Sequence, residues 1–207
     1  GAVTPLLGSE IVALEHALGR VLAVPLTAGM DLQPWRNSAM DGYAFAVADT
    51  ETALAAGLAL AGTSLAGHPF TGRLGAGQCV RILTGAILPA GADAVVMQEQ
   101  VTVVNDRVRV QRAVPAGANV RVPGEDVRAG QTVLPAGSRL GPAQIALAAA
   151  LGQATLTVHR RPRVAVFTSG DELPPLGQPL GAGAICDSNR YLLRAMLQEL
   201  GATVVDL

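Results

Sequence analysis

The spacing of hydrophobic positions changes several times along the chain, and each change predicts a change of element. Near the start, Ile11, Leu14 and Leu18 fall at helical spacing behind Ser9, a residue type that caps helices, with Glu10 in the first turn and Gly19 at the end; this predicts a short amphipathic helix. From Ala23 to about Val120 the pattern becomes short apolar stretches separated by Gly, Pro and Asn. Residues 43–47, 79–83, 94–97, 101–104 and 108–110 read as strands, with Asn105 and Asp106 as a tight hairpin turn between the last two. The block reads as a small β-rich domain with long loops.

Near Arg121 the character shifts again, through a turn at residues 122–126 and a strand at 132–134. Pro142 suits the first turn of a helix over residues 143–151, which Gly152 closes. A strand at 164–168, a polar loop, a helix over 189–200 and a strand at 203–206 then alternate; Asp187 or Ser188 caps that helix and Gly201 ends it. This β-α-β order is the opening unit of a parallel sheet. One helix cannot cover both faces of a parallel pair, so the expectation is that the sequence ends inside a domain. The fold class expected is α+β and multidomain.

Composition narrows the function classes. Half of the 207 residues are hydrophobic and 15% are charged, enough apolar surface for real cores, while 3% aromatics leave Ala, Val and Leu to build them. No apolar run reaches the roughly 18 residues of a membrane span and no signal-peptide pattern opens the chain, so a cytoplasmic location and no membrane partner are expected. Cys79 and Cys186 lie far apart without a CxxC or a histidine cluster, which argues against a zinc site and a disulfide framework and for reduced thiols. A net charge of −1 supplies no field for nucleic acid. All fifteen cationic side chains are arginine, so an anion would be held by guanidinium groups or backbone amides; a compositional bias, also visible in three Pro-Ala-Gly triplets, is the plainer account of the missing lysine.

Most catalytic motifs fail. There is no P-loop without lysine, Gly181-Ala182-Gly183 does not follow a strand directly, and His16, His68 and His159 are too scattered for a Ser/His/Asp triad. What remains is a set of carboxylates in turn-rich loops: Asp41 in Asn37-Ser38-Ala39-Met40-Asp41-Gly42-Tyr43, Asp126 in Pro123-Gly124-Glu125-Asp126, Asp171 and Glu172 in Ser169-Gly170-Asp171-Glu172-Leu173, and Asp187 in Cys186-Asp187-Ser188-Asn189. Each has a plain structural reading, since Asp before Gly is ordinary turn chemistry and Asp187 suits a helix cap. The Ser169–Leu173 loop is the strongest, because it follows a strand of the parallel unit at the edge where open α/β sheets bind ligands. Oxygen donors without His or Cys suit a hard cation such as magnesium.

Together these loops resemble the molybdopterin molybdenumtransferases, a family related to the C-terminal part of the scaffold protein gephyrin. The resemblance runs through Leu18-Gly19-Arg20-Val21-Leu22-Ala23, residues 37–44, Arg81-Ile82-Leu83-Thr84-Gly85-Ala86, residues 88–96, Gly124-Glu125-Asp126, residues 169–173 and Asp187-Ser188-Asn189. Arg36 stands where an acidic residue is frequent, and Ile87 where proline is frequent.

The resemblance implies insertion of molybdate into adenylylated molybdopterin with release of AMP, magnesium as the helper ion, and a homodimer, with the adenylyltransferase that supplies the substrate as a further partner. It implies Asp41, Thr84, Asp126 and Glu172 in the catalytic cleft, Asp41 and Glu172 as metal ligands, and Gly85, Ser169, Gly170, Asp171 and Asp187 as binding residues. By chemistry the carboxylates could hold a metal or orient water, and the Thr84 hydroxyl and Gly85 amide could bond an anionic oxygen. The implied architecture is a dimerisation domain of mixed α/β character from residues 1–30 and 121–158, an inserted β-rich domain at 31–120, and at 159–207 the truncated start of a parallel α/β molybdopterin-binding domain. Missing anion loops would leave the chain inactive alone. A non-catalytic scaffolding module of the same fold is the alternative. An unrelated nucleotide-binding α/β protein would need a phosphate loop that is absent from the sequence.

Overall fold

The computed structural model describes residues 8–207, apart from the side chain of Asp206. The described part of the chain divides into two compact units: residues up to Thr27 join Thr132–Leu207 in the first, and Ala28–Gln131 form the second. In chain order, β1 (Ser9–Ala13) and β2 (Leu26–Thr27) belong to the first unit. The second contains β3 (Asn37–Ser38), β4 (Gly42–Phe45), α1 (Thr50–Ala55), β5 (Leu58–Ser64), β6 (Gln78–Ile82), β7 (Ala94–Met97), β8 (Val101–Val104), β9 (Arg107–Val110) and β10 (Val120–Arg121). The chain returns to the first with β11 (Thr132–Leu134), α2 (Pro142–Ala150), β12 (Thr155–His159), β13 (Arg163–Val166), α3 (Ser188–Glu199) and β14 (Thr203–Asp206).

The second unit is built on a six-stranded sheet in the order β7-β4-β6-β5-β9-β8, with β5 and β6 parallel and the other neighbours antiparallel. Successive side chains on a strand point to opposite faces, so Phe45 and Val96 enter one core with Leu58, Cys79 and Val108, while Ala44 and Val95 enter another with Val80 and Ile82. Burial on both faces explains why β7 reads as an unbroken apolar run. Asn105 and Asp106 both have positive φ, 48° and 59°, which matches the twist of the β8–β9 hairpin.

The first unit pairs β1 with β12 and β2 with β11, both antiparallel, and β13 with β14 in parallel. Leu22, Leu140 and Val158 are its most deeply buried large side chains. The helix expected over Ile11 to Leu18 does not form. Ser9–Ala13 is a strand in register with Thr155–His159, and only Leu14–His16 makes a single 3-10 turn. Isolated short helices are marginal, and β-branched Ile11 and Val12 suit a strand once a partner is available. Ile11 and Leu18 stay exposed. The other two helices follow their local signals: Pro142 opens α2, Gly152 with φ 73° follows it, and Asp187 accepts from the Arg190 amide to cap α3. Strands β5 and β12 and helix α1 are not among the expected elements, although β12 alternates as Thr155-Leu156-Thr157-Val158-His159 with Leu156 and Val158 buried. Among the described residues no helix is long and apolar enough to cross a membrane.

Candidate active site

Each unit places a carboxylate and a threonine at a sheet edge. In the second unit the turn from β3 into β4 carries Asp41, and the turn that follows β6 carries Thr84; β4 and β6 are sheet neighbours, so the two turns meet. Asp41 Oδ1 accepts from both the Thr84 amide and the Thr84 hydroxyl at 2.8 Å each. These two donors, joined by the nearby Arg81 guanidinium, hold the exposed Asp41 carboxyl below its ordinary value. Arg81 lies over the Tyr43 ring at 5.1 Å and donates to the Gly42 carbonyl at 3.0 Å. The turn itself is pinned by Ser38, whose hydroxyl donates to the Met40 carbonyl at 2.6 Å. Gly42 is obligatory here, since a Cβ would lie 1.9 Å from the Val96 carbonyl oxygen on β7.

The Gly85 amide, a candidate donor to an anionic oxygen by its chemistry, is engaged within the protein. It donates to the Ser38 carbonyl at 2.8 Å, closing the Thr84 turn against the Asp41 turn. With the Thr84 hydroxyl given to Asp41, both donors expected for an anion are used to brace the loops. Asp126 stands exposed in a loop held from the other side, where the Gly124 amide donates to the Gln33 carbonyl and the Asp31 carboxylate accepts from the Ala129 amide at 2.8 Å. Asp31 and Arg81 were not singled out from sequence; Arg81 sits within the same short motif as Thr84, and Asp31 carries no local signal.

In the first unit, a cavity of 410 Å³ opens beyond the carboxyl end of β13 and beside the N-terminus of α3, lined by Thr168, Gly170, Leu173, Asp187, Arg190 and Tyr191 among others. The Thr168 hydroxyl donates to the Asp187 carboxylate, and this bond, with the Arg190 amide, holds Asp187 below its ordinary value. Of the residues expected here, Gly170 and Asp187 line the cavity, whereas Ser169, Asp171 and Glu172 do not. The Glu172 carboxylate folds back over its own loop: a Cβ on Gly170 would meet its oxygens at 2.5 and 2.6 Å. Thr168 and Tyr191 are lining residues that sequence reasoning passed over.

Among the described residues no group of three or more His, Cys, Asp or Glu is arranged to hold a metal ion. Of the two carboxylates expected as magnesium ligands, Asp41 belongs to the second unit and Glu172 to the first. Cys79 is buried and its thiol is pushed up to about 12 by desolvation, which leaves it inert; Cys186 is exposed, and both are free thiols.

Residues 2–152 match the family described as MoeA N-terminal region (domain I and II). The protein called molybdopterin molybdenumtransferase in Haemophilus influenzae is 40% identical over 200 residues, covering 96% of this chain and 49% of the relative. Its namesake in Nostoc is 43% identical over 197 residues, 94% of this chain and 45% of the relative. The crystal structure of the molybdopterin biosynthesis moeA protein from Pyrococcus horikoshii OT3 superposes with a TM-score of 0.87 at 32% identity, covering 96% of this chain and 54% of that one. The chain thus spans about half the length of the curated relatives it matches.

Proposed function

This chain belongs to the family of the MoeA N-terminal region, and from that premise we propose that it is part of a cytoplasmic enzyme that inserts molybdate into adenylylated molybdopterin and releases AMP. The observation that carries the reading is the cavity at the carboxyl end of β13, where Thr168, Gly170, Asp187, Arg190 and Tyr191 converge beside the start of α3. A helix N-terminus and an arginine favour a phosphate-bearing ligand, and an aromatic ring offers a face for a flat heterocycle. Asp187 joins the loop to the helix and so sets the shape of the cavity.

Asp41 has a different part in the proposal. A carboxylate held below its ordinary value is a weak base at neutral pH, so Asp41 acts through its charge, orienting water or an electropositive group, and not by taking a proton. Thr84 fixes it in the ionised form. Release of AMP is hydrolysis of the phosphoanhydride: water adds to phosphorus, the bond to the pterin phosphate oxygen or the adenylate oxygen breaks, and the proton passes to solvent. Asp126 in the second unit, and Glu172 with the Ser169–Asp171 segment in the first, are proposed as further residues of the reaction. Dimerisation through residues 1–30 and 121–158, and supply of the substrate by an adenylyltransferase, complete the proposal.

The test is an insertion assay with adenylylated molybdopterin and molybdate, comparing the 207-residue chain with a chain of the relatives' full length. Turnover by the longer chain only is expected. Equal turnover by both would refute the inactivity of the shorter one, and none by either would remove the proposed reaction.

A further inference from the structure

A second cavity in the first unit, 350 Å³ in volume, shares no lining residue with the one at Asp187. We propose that it is an organic-phosphate site, in which Arg160 and Arg161 grip the phosphate while Val21, Pro162 and Leu200 receive an apolar body. This goes beyond the proposed reaction and does not depend on it.

Charge is the first argument. Arg20 also lines the cavity, but it is buried and satisfied by Glu10 and by the His159 carbonyl. Among the described residues the ion pairs are Arg20 with Glu10 and His16 with Glu15, so neither Arg160 nor Arg161 is neutralised by a carboxylate. Two arginine residues that line one concavity without a carboxylate partner favour a doubly charged, forked acceptor, which a phosphate monoester is. The opposing field is smaller: the end of α3 at Leu200 contributes about half a negative charge.

Shape is the second. Gly19, Gly137 and Gly201 stand in the wall with φ of 75°, 84° and 85°, and a Cβ on any of them would meet nothing within 4 Å. Their backbone conformation excludes other residues at low cost, and it leaves bare main chain facing open space, where a flat body can approach closely. With Val21, Pro162 and Leu200 beside it, the cavity combines a largely apolar wall with two arginine residues. That is the arrangement of a site for a small organic anion and not for a bare ion.

Binding of adenosine 5′-monophosphate to the ¹⁵N-labelled chain tests the site, with inorganic phosphate and adenosine as partial ligands. Saturable shifts at the Gly19, Gly137 and Gly201 amides are expected with the nucleotide, at an affinity at least about tenfold above that of either partial ligand. Arg160→Ala with Arg161→Ala should weaken binding about tenfold or more, and the double lysine variant should recover part of it, while the spectrum itself reports that each variant is folded. Absence of saturable shifts at these glycines, or equal affinity in the double alanine variant, overturns the proposal. Shifts confined to Thr168 and Gly170 also overturn it, and would instead support ligand binding at the Asp187 cavity.

Discussion

Thr84 gives both its amide and its hydroxyl to a single oxygen of Asp41, 2.8 Å from each. The bond pair joins two turns that are distant in sequence but adjacent at the ends of β4 and β6, and it leaves the second Asp41 oxygen outside the pair. One threonine thereby sets both the position and the charge of the carboxylate.

Replacing Asp41 with Asn in a full-length protein is expected to lower turnover about a hundredfold or more, because the amide oxygen still accepts from Thr84 while the charge is gone. The thermal midpoint should be nearly unchanged. Thr84→Val should act in the same direction but more weakly, since it removes the hydroxyl bond and keeps the amide one. Parallel loss of turnover and folding in Asp41→Asn would assign the residue to the turn alone.

Acid stability should depend on Asp41 and Asp187. Both titrate below the ordinary 3.8 in the folded chain, so the folded state binds fewer protons than the unfolded one. Their contribution is present above the unfolded value and is lost as pH falls through the folded one. Melting curves from pH 6 down to about 2 should show a steeper fall for the wild-type chain than for the Asp41→Asn, Asp187→Asn double variant, and parallel curves would contradict the assignment.

Two glycines of the Asp41–Thr84 turns should respond differently to alanine. At Gly42 the added carbon would collide with the backbone of Val96, so strands β4 and β7 must separate, at a cost of about 3 kcal/mol or more. At Gly85 the space is open and the cost comes from its φ of 81°, about 1–2 kcal/mol. Urea unfolding of the two variants measures the difference, and an equal or reversed order would show that the sheet relaxes around Gly42.

Self-association of the chain is expected from its uncovered apolar side chains. Ile11, Leu18 and Val24 are exposed in the proposed dimerisation segments. A two-fold contact burying more than about 1,000 Å² would be needed for a stable dimer. Sedimentation at micromolar concentration should show the dimer; a clean monomer would contradict the proposed dimerisation segments.

Much of the local structure was legible because its causes are local. Asn105 and Asp106 tolerate positive φ, Pro142 preorganises the first turn of α2, and the Asp187 side chain reaches the Arg190 amide three residues on; each acts on its own neighbours. The position of the Ser169–Leu173 loop beyond a parallel strand followed in the same way from the β-α-β order. Pairing across the chain was not legible. Ile11, Leu14 and Leu18 satisfy a helical period, but the backbone of Ser9–Ala13 finds its hydrogen bonds on Thr155–His159, and no local pattern names so distant a partner.

The site divides along the same line. Sequence alone selected Asp41 and Asp187 through turn and cap chemistry, and Thr84 and Gly170 through the family resemblance. Only the folded chain decided what their atoms face: Thr84 turns its donors onto Asp41, Gly85 gives its amide to Ser38, Glu172 lies back over Gly170, and Thr168 meets Asp187. A hydrogen bond is set within tenths of an ångström by both partners' backbones, and those backbones are brought together by sheet register, which depends on the whole core.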